Sequence, residues 1–433
     1  MMLKKIYWDK GYITFFFCVI TVILMPSYIW ILPPFMILWG VSWIWENSMK
    51  MQLILETKSS YKVLFILYIL FYVWQLVGML YSNNPSNGWE NLKVRLSVIF
   101  FPIVLLSPGE IIKKNGKLLL RLFAGSTLIY IIICFISAFI NSIDVQEGFW
   151  SFNPHPKVEY WLNYFYGSEF SIFQHPSYQA MYVLMAVFIG FESCFDRTLD
   201  KKIRIFWLII GIFLLISLYF LSSRAGLLAA ILLVPFYLFI KNKRRTKKYL
   251  TGIIILLGVV IMLPVIFTNN RVNTFIHSIH KKSFEDIENV DDRSIIWKTA
   301  FHIARSNYIW GLGTGDVEAE LVNAYQQIGN QLLAEKRMNA HNQFLEILLE
   351  NGIVGIALFL SILVSMIYIL WTERNLLYGM YVLLIIIFFL FETMLNRLAG
   401  VSFFAMFSFL LLHINNKINL PNGYNPVFED IHK

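Results

Sequence analysis

Charged residues are scarce in this chain. Asp, Glu, Lys and Arg make up 15% of its 433 residues, while hydrophobic residues make up 58%, and the mean hydropathy is +0.61. A soluble domain carries about 25% charge, so a soluble globular fold is excluded. Cysteine is rarer still: Cys18, Cys134 and Cys194 fall in or beside apolar runs, which argues against a disulfide framework or a thiolate metal site. The apolar runs do not alternate in roughly ten-residue segments, so a transmembrane β-barrel is excluded too. His277 and His280 stand three apart with no H-E-x-x-H pattern around them, so no zinc site is expected. Gly311-x-Gly313-x-Gly315 has no Walker lysine and reads as a flexible turn, not a nucleotide fingerprint. No metal and no cofactor is expected. The net charge of +9 is scattered in short clusters between apolar runs, with no basic domain to hold a polyanion, so nucleic acid is not an expected partner.

What the chain does have is a succession of apolar runs long enough to cross about 30 Å of hydrocarbon. They predict an all-α polytopic membrane protein with about twelve helices, at 12–25, 28–45, 61–81, 92–106, 118–140, 177–192, 203–221, 224–240, 249–268, 352–371, 376–394 and 398–413. The first run follows Lys4, Lys5 and Lys10, as in a signal peptide. Met25-Pro26-Ser27 is no small-residue cleavage site, however, and the run reads as an uncleaved first helix. Pro26 leaves open whether the first two helices are separate or one kinked helix. The K-N-K-R-R-T-K-K run at Lys241–Lys248 is the strongest orienting signal, because short loops dense in Lys and Arg stay in the cytoplasm. Both termini are then cytoplasmic.

This gives a membrane bundle over 1–268, a periplasmic loop over 269–351, membrane helices over 352–413 and a cytoplasmic tail over 414–433. The loop is nearly neutral, with eight basic and nine acidic residues between 269 and 340. Within it, 293–306 and 316–338 have helix-compatible spacing. Residues 141–176 are rich in Trp and Tyr, which suits a headgroup layer.

Several side chains in this pattern are candidates for chemistry. Arg224, in L-S-S-R-A-G-L at the outer junction of two helices, carries a guanidinium fork suited to phosphate oxygens. The small residues around it leave room for a headgroup. Lys93 and Arg95 are two apart and do not share a helix face, so Arg95 is expected to point into the bundle. Arg293 lies in D-D-R-S-I-I-W-K and either pairs with Asp291 or Asp292 or binds an anion. Arg271, Arg305 and Arg397 are further arginines of the outer face. His341, with Phe344, Leu345 and Leu348, is spaced as one face of a short helix. An imidazole, which ordinarily titrates near pH ~6.5, is a natural proton acceptor. Asn342 follows it, and His175 in F-Q-H-P-S-Y is expected near the same cavity.

Taken together, L-S-S-R-A-G-L, D-D-R-S-I-I-W-K-T-A, G-L-G-T-G and A-H-N-Q-F-L-E-I-L-L-E-N-G-I-V-G resemble the O-antigen ligase/polymerase superfamily, most closely over 217–370. The resemblance implies a metal-independent, inverting glycosyltransferase of the GT-C type in the bacterial inner membrane. Such enzymes take a glycan from undecaprenyl diphosphate at the periplasmic face. A ligase gives it to lipid A-core, and a polymerase gives it to another glycan repeat unit. Membrane lipids surround the site, and no nucleic acid takes part. Carried over by motif, Arg224 and Arg293 match donor-diphosphate-binding arginines and His341 matches the catalytic histidine. Arg95 matches by position only. Arg271, His175 and Asn342 are expected to line the cavity. A protein O-oligosaccharyltransferase of the same superfamily is a further reading. A flippase, from another class, would show matching broken helices in its two halves, and the one large loop here has no counterpart.

Overall fold

The computed structural model describes residues 10–27, 31–47, 57–146, 149–155, 163–241 and 292–414. The predicted helix at 249–268, Arg271, His277, His280 and Asp291 lie outside the described residues. Among the described residues, six helices are long and apolar enough to cross a membrane: α3 (Ser59–Gly78), α7 (Gly116–Asn141), α8 (Pro176–Phe195), α9 (Lys201–Leu221), α10 (Arg224–Lys241) and α14 (Gln343–Glu373). The others are α1 (Lys10–Leu24), α2 (Leu32–Asn47), α4 (Pro85–Arg95), α5 (Ser97–Leu106), α6 (Glu110–Lys114), α11 (Asp292–Ser306), α12 (Val317–Gln327), α13 (Gln331–Glu335), α15 (Leu376–Phe391) and α16 (Leu398–Leu410). The protein is a polytopic helical membrane protein.

The centre of the bundle is α8, 83% buried against 33–39% for the other long helices. It packs on α7, α9, α10 and α15. Pro176 opens it, where a missing N–H is harmless. The run interrupted by Pro26 is two helices, because α1 ends at Leu24 and α2 packs back against it. The helix expected at 92–106 is also two, with α4 ending at Arg95 and α5 beginning at Ser97.

The structure adds two things to the expected helical fold. First, beside the helices that make up nearly all of it, β1 (Ile143–Gln146) and β2 (Phe149–Phe152) form an antiparallel hairpin, with Ile143 opposite Phe152. β1 alternates Ile and Val with Asp and Gln, and β2 is F-W-S-F; both are too brief to register against the helical periodicity around them. Second, the G-L-G-T-G segment is not a flexible turn. Leu312 N donates to Leu349 O at 2.7 Å and Gly313 N to Glu350 O at 3.0 Å. Thr314 Oγ1 donates to Gln75 O at 2.6 Å. The Asp316 carboxylate accepts from the backbone N–H groups of Asn83 and Asn84 at 2.7 and 2.8 Å. Glycine is required at Gly311, where φ is +77° and a Cβ would sit 2.6 Å from the Glu350 backbone. The segment is a wedge that ties the polar subdomain to the loop between α3 and α4.

That subdomain, α11 to α13, has its own small core, including Ile296, Leu321, Tyr325, Leu333, Leu345 and Leu349. Leu345 and Leu349 belong to the start of α14, whereas Phe359 and Ile362, further along the same helix, belong to the bundle core. Ile347, between those two leucines, already belongs to the bundle core, so this first part of the helix serves both cores; at Gly352 the backbone leaves helical geometry at φ +62°, ψ −158°. α14 therefore contributes side chains to both cores and, with the glycine wedge, joins the polar subdomain to the membrane helices.

Candidate functional site

The site gathers around a carboxylate that the motif reading missed. Glu392 follows the last residue of α15, and its backbone N–H closes that helix on Phe388 O at 2.9 Å. His341 Nδ1 lies 3.2 Å from Oε2. Ser177 Oγ, at the start of α8, donates to Oε1 at 2.9 Å. Arg293 Nη2, from α11, lies 3.5 Å from the same oxygen. Three separate stretches thus converge on one acid, whose side chain is only 12% exposed. Burial alone raises the pKa of Glu392. The hydrogen bond and charge of His341, with the charges of Arg293 and His175, outweigh it and hold the carboxyl below the ordinary glutamate range. Glu392 is therefore an anion at neutral pH.

An ionised carboxylate only accepts hydrogen bonds. The nitrogen facing it, His341 Nδ1, must carry the hydrogen, which leaves the Nε2 lone pair as the basic position. This is the tautomer a general base needs.

The turn carrying His341 is over-determined, and it is not helical as its spacing predicted. His341 has φ +44°, an uncommon left-handed conformation for a residue with a side chain. Asn339 Oδ1 accepts from His341 N at 3.0 Å. Asn342 is the cap: its Oδ1 accepts from Phe344 N and Leu345 N at 3.0 and 3.1 Å, so the helix starts only at Gln343. The Asn342 amide also donates to Leu390 O at 3.1 Å, two residues before Glu392. The Ala340 peptide is held from both sides, by Trp297 Nε1 donating to its oxygen at 3.1 Å and by its N–H donating to Glu346 Oε2 at 3.2 Å. Trp297 stands one helical turn after Arg293, so the same bond ties the arginine's helix to the histidine's turn.

The remaining predicted residues fall as follows. Arg293 pairs with Glu392 and sits over the Phe391 ring at 5.8 Å. Arg95 is buried, 3% exposed, while the Lys93 side chain is 63% exposed. The Arg95 fork donates to Glu350, to Leu395 O at 3.2 Å and to Asn396 Oδ1 at 3.0 Å, so it is engaged by protein groups. Arg224 is exposed at the first position of α10. The small residues beside it do not open space for a headgroup: Ser222, Ser223 and Ala225 are buried, and a Cβ at Gly226 would lie 2.7 Å from Ala180 Cβ. They let α10 approach α8 closely, one turn from Ser177. His175 caps α8, its Nδ1 accepting from Ser177 N at 3.4 Å.

Two cavities flank the cluster. One, about 1000 Å³ and largely apolar, lies among α2, α5 and the starts of α8 and α16, and His175 lines it. The other, about 240 Å³ and polar, lies beneath the polar subdomain.

Fold and site together define a multi-pass membrane protein with a partly buried acid–histidine–arginine cluster where a polar subdomain meets the bundle. Residues 209–360 match the family model described as O-antigen ligase. Over that stretch the chain is similar to the O-antigen ligase family, and the match supports the likeness drawn from its motifs to the O-antigen ligase-like superfamily. The match spans Arg224, Arg293 and His341, and stops short of Glu392. No curated protein matches the chain significantly.

Proposed function

We propose that this chain is an O-antigen ligase-like glycosyltransferase that moves a glycan from undecaprenyl diphosphate to an acceptor hydroxyl, with lipid A-core as the acceptor, at the periplasmic face of the inner membrane. The observation that carries the reading is the His341–Glu392 pair, with Arg293 on the same carboxylate. His341 Nε2 takes the proton of the acceptor hydroxyl as that oxygen attacks the anomeric carbon. The bond from this carbon to the diphosphate breaks on the opposite face, so configuration inverts. Glu392 stabilises the imidazolium that forms, and Arg293 and Arg224 stabilise the departing diphosphate. Fixed cations aimed at developing charge lower the barrier without reorganising during the reaction. Arg95, engaged by Glu350 and Asn396, acts by positioning Asn396 and not by direct contact with phosphate. Lipid donor and glycan acceptor are both mobile, and holding them together is the usual gain from orientation.

The polymerase reading uses the same donor chemistry with a glycan repeat unit as acceptor. A strain lacking the protein separates the two. Full-length polymer left on its lipid carrier supports the ligase, and single repeat units on the core support the polymerase. Restoring the strain with His341→Ala must fail in either case. Normal polymer attachment in that strain would refute the transferase reading.

A further inference from the structure

The two cavities differ in polarity and share a wall. Tyr178, Asn396 and Arg397 line both. The apolar side is walled by Met36, Ile37, Phe100, Ile103, Phe173 and Leu398. The polar side carries Asn87, Asn91, Glu318, Arg337 and Asn339. A ligand filling both must be hydrocarbon at one end and rich in hydroxyls at the other. The residue at the junction states what joins the ends.

Arg397 is exposed and sits at the N-cap of α16, with extended backbone. Among the described residues its guanidinium makes no hydrogen bond or ion pair, unlike its neighbours. Arg95 is held by Glu350 and Asn396, Arg293 pairs with Glu392, and Lys93 pairs with Glu90. Glu346 and Glu350 also line the polar cavity, but neither bonds to Arg397, and a guanidinium with no acid in contact, beside the N-terminus of a thirteen-residue helix, is suited to an anion, its planar fork to a phosphate above all. The volume of the apolar cavity, about 1000 Å³, stands at the upper end of ordinary ligand pockets, ~300–1000 Å³.

We propose that Arg397 binds the phosphate of a sugar-bearing lipid whose hydrocarbon chain occupies the apolar cavity and whose first sugar occupies the polar one. This rests on the transferase reading for the identity of the lipid as the donor. It places the phosphate beside Asn396, which Arg95 holds, and it brings the hydrocarbon past His175, which caps the helix that bears Ser177.

Thiol protection tests it apart from catalysis. Ile103→Cys, on the wall of the apolar cavity, is made in a chain whose own three cysteines are replaced, and its alkylation is followed in detergent. A long-chain polyprenyl phosphate is expected to protect Cys at position 103, and phosphatidylcholine at the same concentration is not. Arg397→Gln should raise the concentration needed by about ten- to a hundredfold, the usual effect of losing a charge-assisted hydrogen bond, and Arg397→Lys should recover part of it. Glu318→Trp, filling the polar cavity from its rim, should weaken protection by a sugar-bearing polyprenyl diphosphate while leaving polyprenyl phosphate unaffected. His341→Ala should protect as the parent does, so failed catalysis and failed lipid binding remain distinguishable. Equal protection by phosphatidylcholine would mean a bilayer lipid fills the groove, and unchanged protection in Arg397→Gln would remove the residue from phosphate binding. Either result overturns the proposal.

Discussion

Replacing Glu392 with Gln tests the site most directly, because it removes one charge and almost no volume. The amide has two ways to sit. With its oxygen towards His341 Nδ1 it preserves the tautomer, but its NH2 then faces Ser177 and Arg293, where the carboxylate now accepts at 2.9 Å and pairs at 3.5 Å. With its NH2 towards His341 it forces the hydrogen onto Nε2 and abolishes the base. In either pose the imidazolium formed during transfer loses a carboxylate now 3.2 Å away. Unit charges about 4 Å apart at an effective dielectric near 20 interact by ~4 kcal/mol, and each ~1.4 kcal/mol is tenfold in rate. Part of that is recovered by the neutral amide, so kcat should fall by about 10²- to 10³-fold, within the ~10²–10⁴ expected of general base catalysis. KM for the lipid donor should change little. The assay is transfer by purified protein in proteoliposomes, with lipid-linked glycan and acceptor varied in turn. The double variant with His341→Ala should be no slower than His341→Ala alone, since residues that act as a unit are not additive. A loss under threefold, or one that multiplies with that of His341→Ala, would refute the pairing as catalytic.

Other outcomes follow from the same contacts. The depressed pKa of Glu392 relative to its ordinary 4.5 means its contribution to stability is present above that value and is lost as pH falls through the folded pKa. Thermal unfolding in detergent should show the parent more stable than Glu392→Gln at pH ~7, with the gap closing on acidification below about 4.5. Arg95→Met strands buried Glu350 and should destabilise the protein by ~3–5 kcal/mol, and adding Glu350→Met should restore much of it. Failure of the double variant to recover any stability would count against the ion pair as the cause. Gly311 and Gly329 share φ +77°, but a Cβ meets the Glu350 backbone at 2.6 Å at the first and nothing within 4 Å at the second. Gly329→Ala should therefore cost only the left-handed strain of ~1–2 kcal/mol, and Gly311→Ala clearly more, since it also loosens the wedge beneath the polar subdomain.

Apolar run length made most of the bundle legible. A span must hide its backbone from lipid whatever it packs against, so composition alone marks α3, α7, α8, α9, α10 and the membrane part of α14. The same signal is blind to chain direction within a run, which is why Arg95 and Ser97 were expected in one helix. It is blind also to short strands such as Ile143–Gln146. The glycine wedge was misread for a related reason: Gly311 and Gly313 look permissive in sequence, but their φ angles of +77° and +104° are fixed by partners on α14 and on the loop after α3. Glycine there serves close approach, and local sequence does not tell close approach from flexibility.

The cluster was half legible, and the missing half was an isolated acid in an apolar context. Arg293 and His341 stand in a polar stretch, where a motif has neighbours to define it. Glu392 stands in F-F-L-F-E-T-M-L-N-R-L-A-G with no motif around it. Yet an ionisable residue at the end of an apolar run is expensive to place near lipid and is a functional candidate by default, so a signal existed. What it did not supply was the partner. His341 and Glu392 are 51 residues apart, and their meeting depends on the turn at Gly352 and on Asn342 reaching Leu390 O. Those contacts make the C-terminal helices part of the proposed site, so changes in α15 that shift Leu390 should impair His341 as surely as a change within its own turn.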